Sequence, residues 1–277
     1  MLRSLNTGVS GMSAHQQMLD TTANNIANVN TTGFKASAVT FQDTLSQMEQ
    51  NAGAPGTGLG GTNPAQVGLG VRTAAITTDQ SAGAMMSTGR ATDLMIGGNG
   101  FFVVSKGDDQ LYTRAGGFSV DAAGNLVTAD GAQLNGWTAN ANGVVEPGTA
   151  LTPLTIPTDG TIEGFSIAQD GTINGVFANG DVRAIGQVAL ASFTNPSGLE
   201  KVGASGYRVT ANSGQPALGA PGENGFGALA SGILEGSNTD LSKEFTNLIM
   251  AQRGFQASAR IVTTSDEVLS ELTNLKR

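Results

Sequence analysis

Every proline of this 277-residue chain lies between Pro55 and Pro221, so residues 1–54 and 222–277 are free of the strongest helix breaker. Both ends carry apolar stripes of helical period. In the first, Leu2, Leu5, Val9, Met12, Gln16, Leu19, Ala23 and Ile26 recur at alternating steps of three and four, a heptad seam with Gln16 as its polar exception. In the last, Leu241, Phe245, Leu248, Gln252, Phe255, Ala259, Val262, Asp266 and Leu269 repeat the pattern. A helix over 241–276 would run roughly 54 Å, longer than a small domain needs, which favours a coiled coil between the two ends. Ser237 and Asp240 have capping-box spacing, with Asn238 as an alternative N-cap, so the second helix should start near 238.

Between the helical ends the sequence changes character. Short alternating runs are separated by turn dipeptides such as Asp130-Gly131, Asp170-Gly171 and Asn179-Gly180, the chemistry of tight hairpins. Gly117-Phe118-Ser119-Val120 is echoed by Gly164-Phe165-Ser166-Ile167, which predicts two similar hairpins. The stretch 50–66 is poor in helix and strand formers and reads as an extended connector. The predicted organisation is therefore α+β: a helical segment over 1–49, the connector over 50–66, a β-rich region over 67–230 and a coiled-coil helix over 231–277.

Composition excludes several kinds of chemistry. Charged residues make up 13% of the chain, against about 25% in ordinary domains, and the net charge is −8. Neither a nucleic acid nor an anionic membrane is an expected partner, because both need a basic footprint. With no cysteine there is no disulfide framework and no thiolate site. No stretch approaches the ~20 apolar residues of a membrane span, and the opening residues do not read as a secretory signal peptide. The one histidine, His15, sits on the first helix with no nucleophile or orienting carboxylate marked beside it, so a structural role is expected. Gly97-Gly98-Asn99-Gly100 lacks the context of a dinucleotide loop and reads as a turn before the strand 101–104. Asp108-Asp109, Asp121, Asp170 and Asp181 match turn chemistry better than a calcium loop or a carboxylate pair. No catalytic residue, metal ligand or cofactor is expected.

One segment is costly for a helix and invites a reason. Ala23-Asn24-Asn25-Ile26-Ala27-Asn28-Val29-Asn30-Thr31-Thr32-Gly33-Phe34-Lys35 is rich in asparagine, a poor helix former, and Gly33 suits a left-handed C′ residue. This run resembles the signature of the flagellar rod and hook axial proteins, carried here by Asn24, Asn25, Asn28, Gly33, Phe34 and Lys35. The resemblance extends along the chain. Leu2-Arg3-Ser4-Leu5 with Gly8, Ser10, Gly11 and Met12 is similar to the start of short hook proteins of Gram-positive bacteria, and Gly60-Gly61-Thr62-Asn63-Pro64, Ser87-Thr88-Gly89-Arg90 and Tyr112-Thr113-Arg114-Ala115-Gly116 continue it. So do Leu234-Glu235, Asp240-Leu241 and Ala251-Gln252-Arg253-Gly254-Phe255-Gln256.

The resemblance implies an inner layer of terminal helices, outer β domains and export through the flagellum's own type III apparatus without a cleaved signal. It also implies a homopolymer that meets a distal rod protein, a hook cap protein and a hook–filament junction protein. The implied function is a hook subunit, a flexible joint that passes torque to the filament. A distal rod protein is the alternative, and an extracellular β-rich adhesin or carbohydrate-active enzyme is the competing reading from another class. On this view Leu2, Leu5, Val9, Met12, Leu19, Ile26, Leu241, Phe245, Leu248, Phe255, Val262 and Leu269 carry polymerisation. The terminal helices are expected to order only when a subunit joins the polymer.

Overall fold

A computed structural model describes residues 2–56, 60–140, 143–146, 148, 150–157, 162–223 and 225–274, with the side chain of Leu2 outside that set. The chain folds as two compact units. The first joins the two terminal helices to residues 37–78, and the second is built from 28–36 and 79–239.

In the helical unit, α1 (Leu2–Ala27) and α2 (Leu241–Asn274) pack antiparallel, with Ser4 opposite Ser265 and His15 opposite Gly254. The Asp240 side chain, rather than Ser237 or Asn238, caps α2: its carboxylate accepts from the Ser242 and Lys243 backbone N–H groups at 2.9 and 3.3 Å. The first helix ends at Ala27, so the helical reading of 1–49 is too long. Residues 37–50 are strand instead. Val39, Thr40 and Phe41 favour a pleated surface, and two strands form there, β1 (Ser37–Asp43) and β2 (Ser46–Gln50), followed by β3 (Ala65–Gly68) and β4 (Val71–Thr78).

β1 pairs with β4 and β2 with β3, both antiparallel, so 37–78 is one nested hairpin. The 50–66 connector forms its far end, held by the Gly53–Thr62 bridge with bonds of 2.9 and 3.0 Å. Residues 57–59 lie outside the described set. The hairpin is tied to α1 by Asn25, whose amide donates to the Ser37 carbonyl at 2.8 Å and accepts from the Ser37 N–H at 3.0 Å. That exchange gives one of the costly helix asparagines its reason.

The second unit is an antiparallel β structure whose main sheet has 13 strands. Its strand Phe101–Lys106 is buried on both faces. Phe102 and Val104 enter a large core with Leu94, Phe118, Leu134 and Val188, while Phe101 and Val103 enter a second core with Tyr112, Phe193 and Tyr207. Each core holds an edge-to-face ring pair, Phe102–Phe118 at 5.3 Å in the first and Tyr112–Phe193 at 4.9 Å in the second. The echoed segments both form hairpins, Ser119–Val120 with Leu126–Val127 and Ile162–Ile167 with Thr172–Phe177. The unit begins at 79 rather than 67 and runs to 239, and it includes 28–36.

Candidate functional site

The face that joins α1 to α2 is made of small residues. A Cβ on Gly8 would lie 3.0 Å from a Val262 methyl, one on Gly11 2.8 Å from the Ser258 hydroxyl, and one on Gly254 2.4 Å from the His15 ring. Ser4 and Ser265 hydroxyls meet at 3.3 Å, and Ala14 and Ala251 are the fully buried apolar residues of the helices. Helix spacing is set by the side chains at the contact, so glycine, alanine and serine let the backbones approach and leave little room for larger groups. His15 lies against this seam and tilts toward Phe41 at 6.1 Å.

This seam runs one residue away from the apolar stripe read from sequence. On α1 the buried positions are Gly8, Gly11, Ala14, Thr22 and Asn25, while Val9, Gln16 and Ala23 are exposed. On α2 Leu248, Phe255, Ser258, Ala259, Val262 and Leu269 are half-buried and Glu244, Ala251 and Ser265 are buried, while Phe245, Gln252 and Asp266 are exposed. Leu5, Met12, Leu19 and Ile26 are also half-buried. Leu241 and Phe245 stand exposed with Ile249, Met250, Ile261 and Val268, Phe245 and Ile249 at 50% and 56%. Leu2's side chain lies outside the described set. The helices thus meet through a small-residue face, and α2 above all keeps large apolar side chains uncovered, with Val9 the exposed one on the described part of α1.

The other site lies in the sheet unit, where the Thr-Gly-Phe-Lys turn closes on a buried ion cluster. Lys35 Nζ donates to Glu235 Oε1 and to the Ser81 carbonyl, both at 2.6 Å, with Lys35 and Glu235 essentially without solvent contact. Glu235 Oε1 also accepts from the Gly83 N–H at 3.0 Å, and Arg114 Nη1 approaches Glu235 Oε2 at 3.7 Å. Burial lowers the Lys35 pKa, against the opposing pull of the Glu235 hydrogen bond, and burial likewise lowers that of Arg114. The Tyr207 hydroxyl is pushed up to about 12, chiefly by burial. Asn238 completes the closure, accepting from Ala36 N–H at 2.8 Å and donating to the Asp79 carbonyl at 2.9 Å.

Gly33 has φ +67°, the left-handed conformation expected of it, but its place is in the turn that follows the helix and not at C′. Its N–H donates to the Glu235 carbonyl at 2.8 Å, and a Cβ there would sit 2.5 Å from the Ala115 backbone nitrogen. Phe34 lies under Lys201, whose Nζ is 5.2 Å from the ring. Of the remaining motif residues, Asn28 accepts from the Thr31 hydroxyl at 3.0 Å and Asn24 faces solvent. The pairing of Lys35 and Arg114 with Glu235 was not predicted. The available signal was charge placed inside otherwise apolar or glycine-rich motif runs in a chain so poor in charge. Among the described residues no group of three or more His, Cys, Asp or Glu could hold a metal ion.

Three family models match this chain: the flagellar hook protein FlgE/F/G D1 domain over 95–175, the flagellar basal body rod FlgEFG protein C-terminal region over 230–275, and the flagella basal body rod protein model over 5–35. The flagellar basal-body rod protein FlgG of Bacillus subtilis is 49% identical over 278 residues, covering 100% of both chains. The chain belongs to the flagellar rod and hook protein family. It is a structural protein of the flagellum by that membership. The flagellar hook protein FlgE of Borreliella burgdorferi is 31% identical across 441 aligned positions, with 100% of both chains covered. The FlgG of Agrobacterium fabrum is 36% identical over 280 residues, covering 99% of this chain. In this rod and hook protein the three matched regions fall on the first helix with its Thr-Gly-Phe-Lys turn, on the sheet unit and on α2.

Proposed function

We propose that this chain is a rod subunit of the flagellar axial tube that polymerises with itself through the uncovered apolar faces of α1 and α2. The carrying observation is that Phe245, Ile249, Ile261 and Val268 are exposed on a helix whose contact with α1 is already filled by Gly254, Ser258 and Ser265. Burying such side chains against a neighbouring copy would be worth about 25 cal/mol per Å². The rod reading is supported by the relative of 49% identity and matching length, which carries a rod protein's name. The hook reading keeps one support: a hook protein aligns over the whole chain, although that alignment holds long stretches without counterpart here. In either place the neighbours are further axial subunits, reached through the flagellar export apparatus, and a place in the hook would add the distal rod protein, the hook cap protein and the hook–filament junction protein.

Deleting the gene in its host and imaging basal bodies separates the two places. Rods cut short are the expected result, and complete rods without hooks would transfer the assignment to the hook. Phe245→Ser together with Ile249→Ser should block polymerisation of the purified chain, and unimpaired polymers would remove these faces from the contact.

A further inference from the structure

The ion cluster of the sheet unit is one charge out of balance. Lys35 and Arg114 are both cations, Glu235 is the carboxylate paired with them among the described residues, and the exposures of Lys35, Arg114 and Glu235 are 0%, 4% and 1%. Lys201 adds positive potential from the side, its Nζ donating to the Lys35 carbonyl at 3.2 Å, while Asp79 also acts on Lys35 but stands in solvent. Glu235 gives its short contacts to Lys35 and the Gly83 N–H. Arg114 is left with the loose 3.7 Å approach, and its Nε and Nη1 are buried without a hydrogen-bond partner. A buried guanidinium with idle donors is costly, and those donors lie in a planar fork suited to an anion.

Beside Arg114 is a cavity of about 130 Å³ lined also by Gln80, Asn99, Gly100, Phe101 and Ser192. The Gln80 amide is likewise buried, and it interacts with the Tyr207 hydroxyl, which leaves its second N–H for a ligand. The Phe101 ring covers one face of the guanidinium, with Cζ 5.1 Å from the ring centre, which leaves the edge of the fork for a ligand. The volume is several times the ~30 Å³ share of one water, enough for a small ion and its residual hydration.

We infer that this cavity is a binding site for a small monovalent anion, between chloride and formate in size, held by the Arg114 guanidinium edge with the Gln80 amide N–H as second donor. The anion neutralises the surplus cation of the cluster. The net charge of −8 makes casual anion binding elsewhere on the surface weak, so the site should stand out.

The test is the NMR line width of chloride in solutions of the full chain. We expect excess broadening that bromide and formate displace and that gluconate, too long for the cavity, does not. Gln80→Leu should weaken chloride binding about tenfold and Arg114→Met should abolish the excess. Displacement by gluconate as readily as by formate, or a line width unchanged in Gln80→Leu, would overturn the assignment by moving chloride to another place on the chain, and no excess broadening at all would leave the cavity to water. The displacement series needs only the native chain, so it decides the matter even if Arg114→Met does not fold.

Discussion

The two units solve the same problem of apolar burial in opposite ways. In the sheet unit Phe102, Phe118, Leu134, Trp137 and Val188 are sealed from solvent. In the helical unit the fully buried apolar residues are Ala14 and Ala251, while Val9, Leu45, Ile76, Phe245, Ile249 and Ile261 are exposed. Burial stabilises in proportion to the apolar area removed from water, so the sheet unit gains more from its own packing than the helical unit, which leaves several large apolar side chains in solvent. Helices that bury so little on one another depend on further packing for their persistence. The difference separates a part whose apolar side chains are covered within its own fold from a part in which many are not.

The comparison can be broken at four places. The largest effect should come from Glu235→Leu, which strands two buried cations and should destabilise the sheet unit by about 3 to 5 kcal/mol in chemical denaturation; a loss under about 1 kcal/mol would mean that the cluster is not held as described. Next comes pH. The Tyr207 pKa is about 12 in the folded chain against 10.0 ordinarily, so the protonated form is favoured by folding. The stability this gives is complete below pH 10 and is lost as pH rises to about 12, a decline of about 2 to 3 kcal/mol. Lys35, with its pKa lowered by burial, acts in the opposite sense over the range just below 10.5, so the measured quantity is the difference between native chain and Tyr207→Phe. Parallel alkaline curves for the two would remove Tyr207 from the account.

The third place is the helix seam. Gly254→Ala puts a methyl where His15 now lies and should cost about 1 to 3 kcal/mol, read as faster hydrogen exchange in both helices with exchange in the strand Phe101–Lys106 unchanged. Native helices protected as strongly as that strand in a confirmed monomer would erase the contrast between the units. The smallest effect belongs to Phe245→Ser, expected within about 0.5 kcal/mol in the free chain because the ring is half in solvent already. A large loss in the free chain would show that Phe245 packs within its own subunit.

The helices were legible because proline is absent from both ends and their periodicity is long. Their register was not, because an apolar stripe and a small-residue stripe run side by side on α1, and hydrophobicity points to Val9 where close approach requires Gly8. The same one-residue ambiguity misplaced Gln252 into a contact made by Ala251. Strands β1 to β4 were hidden for another reason. Residues 37–50 carry no proline and follow a helix directly, so absence of a breaker was read as helix where the β-branched and aromatic residues favoured strand. The ion cluster joins Lys35 to a carboxylate 200 positions away, a pairing no local pattern encodes. What the motif did reveal was that Gly33, Phe34 and Lys35 act together, and the turn, the ring under Lys201 and the buried ammonium show how.

The small-residue seam also bears on how such a chain can vary. At Gly8, Gly11 and Gly254 every possible substitution adds atoms, and the neighbouring helix stands 2.4 to 3.0 Å from where the first would go. Drift there can proceed in one direction only, toward obstruction, and no compensating change in the same helix can restore the space. The exposed apolar positions are freer, since a side chain already half in solvent can be exchanged at little cost within the chain. Tolerance to substitution should therefore be lowest where the two helices of one chain meet and highest where their side chains stand in water.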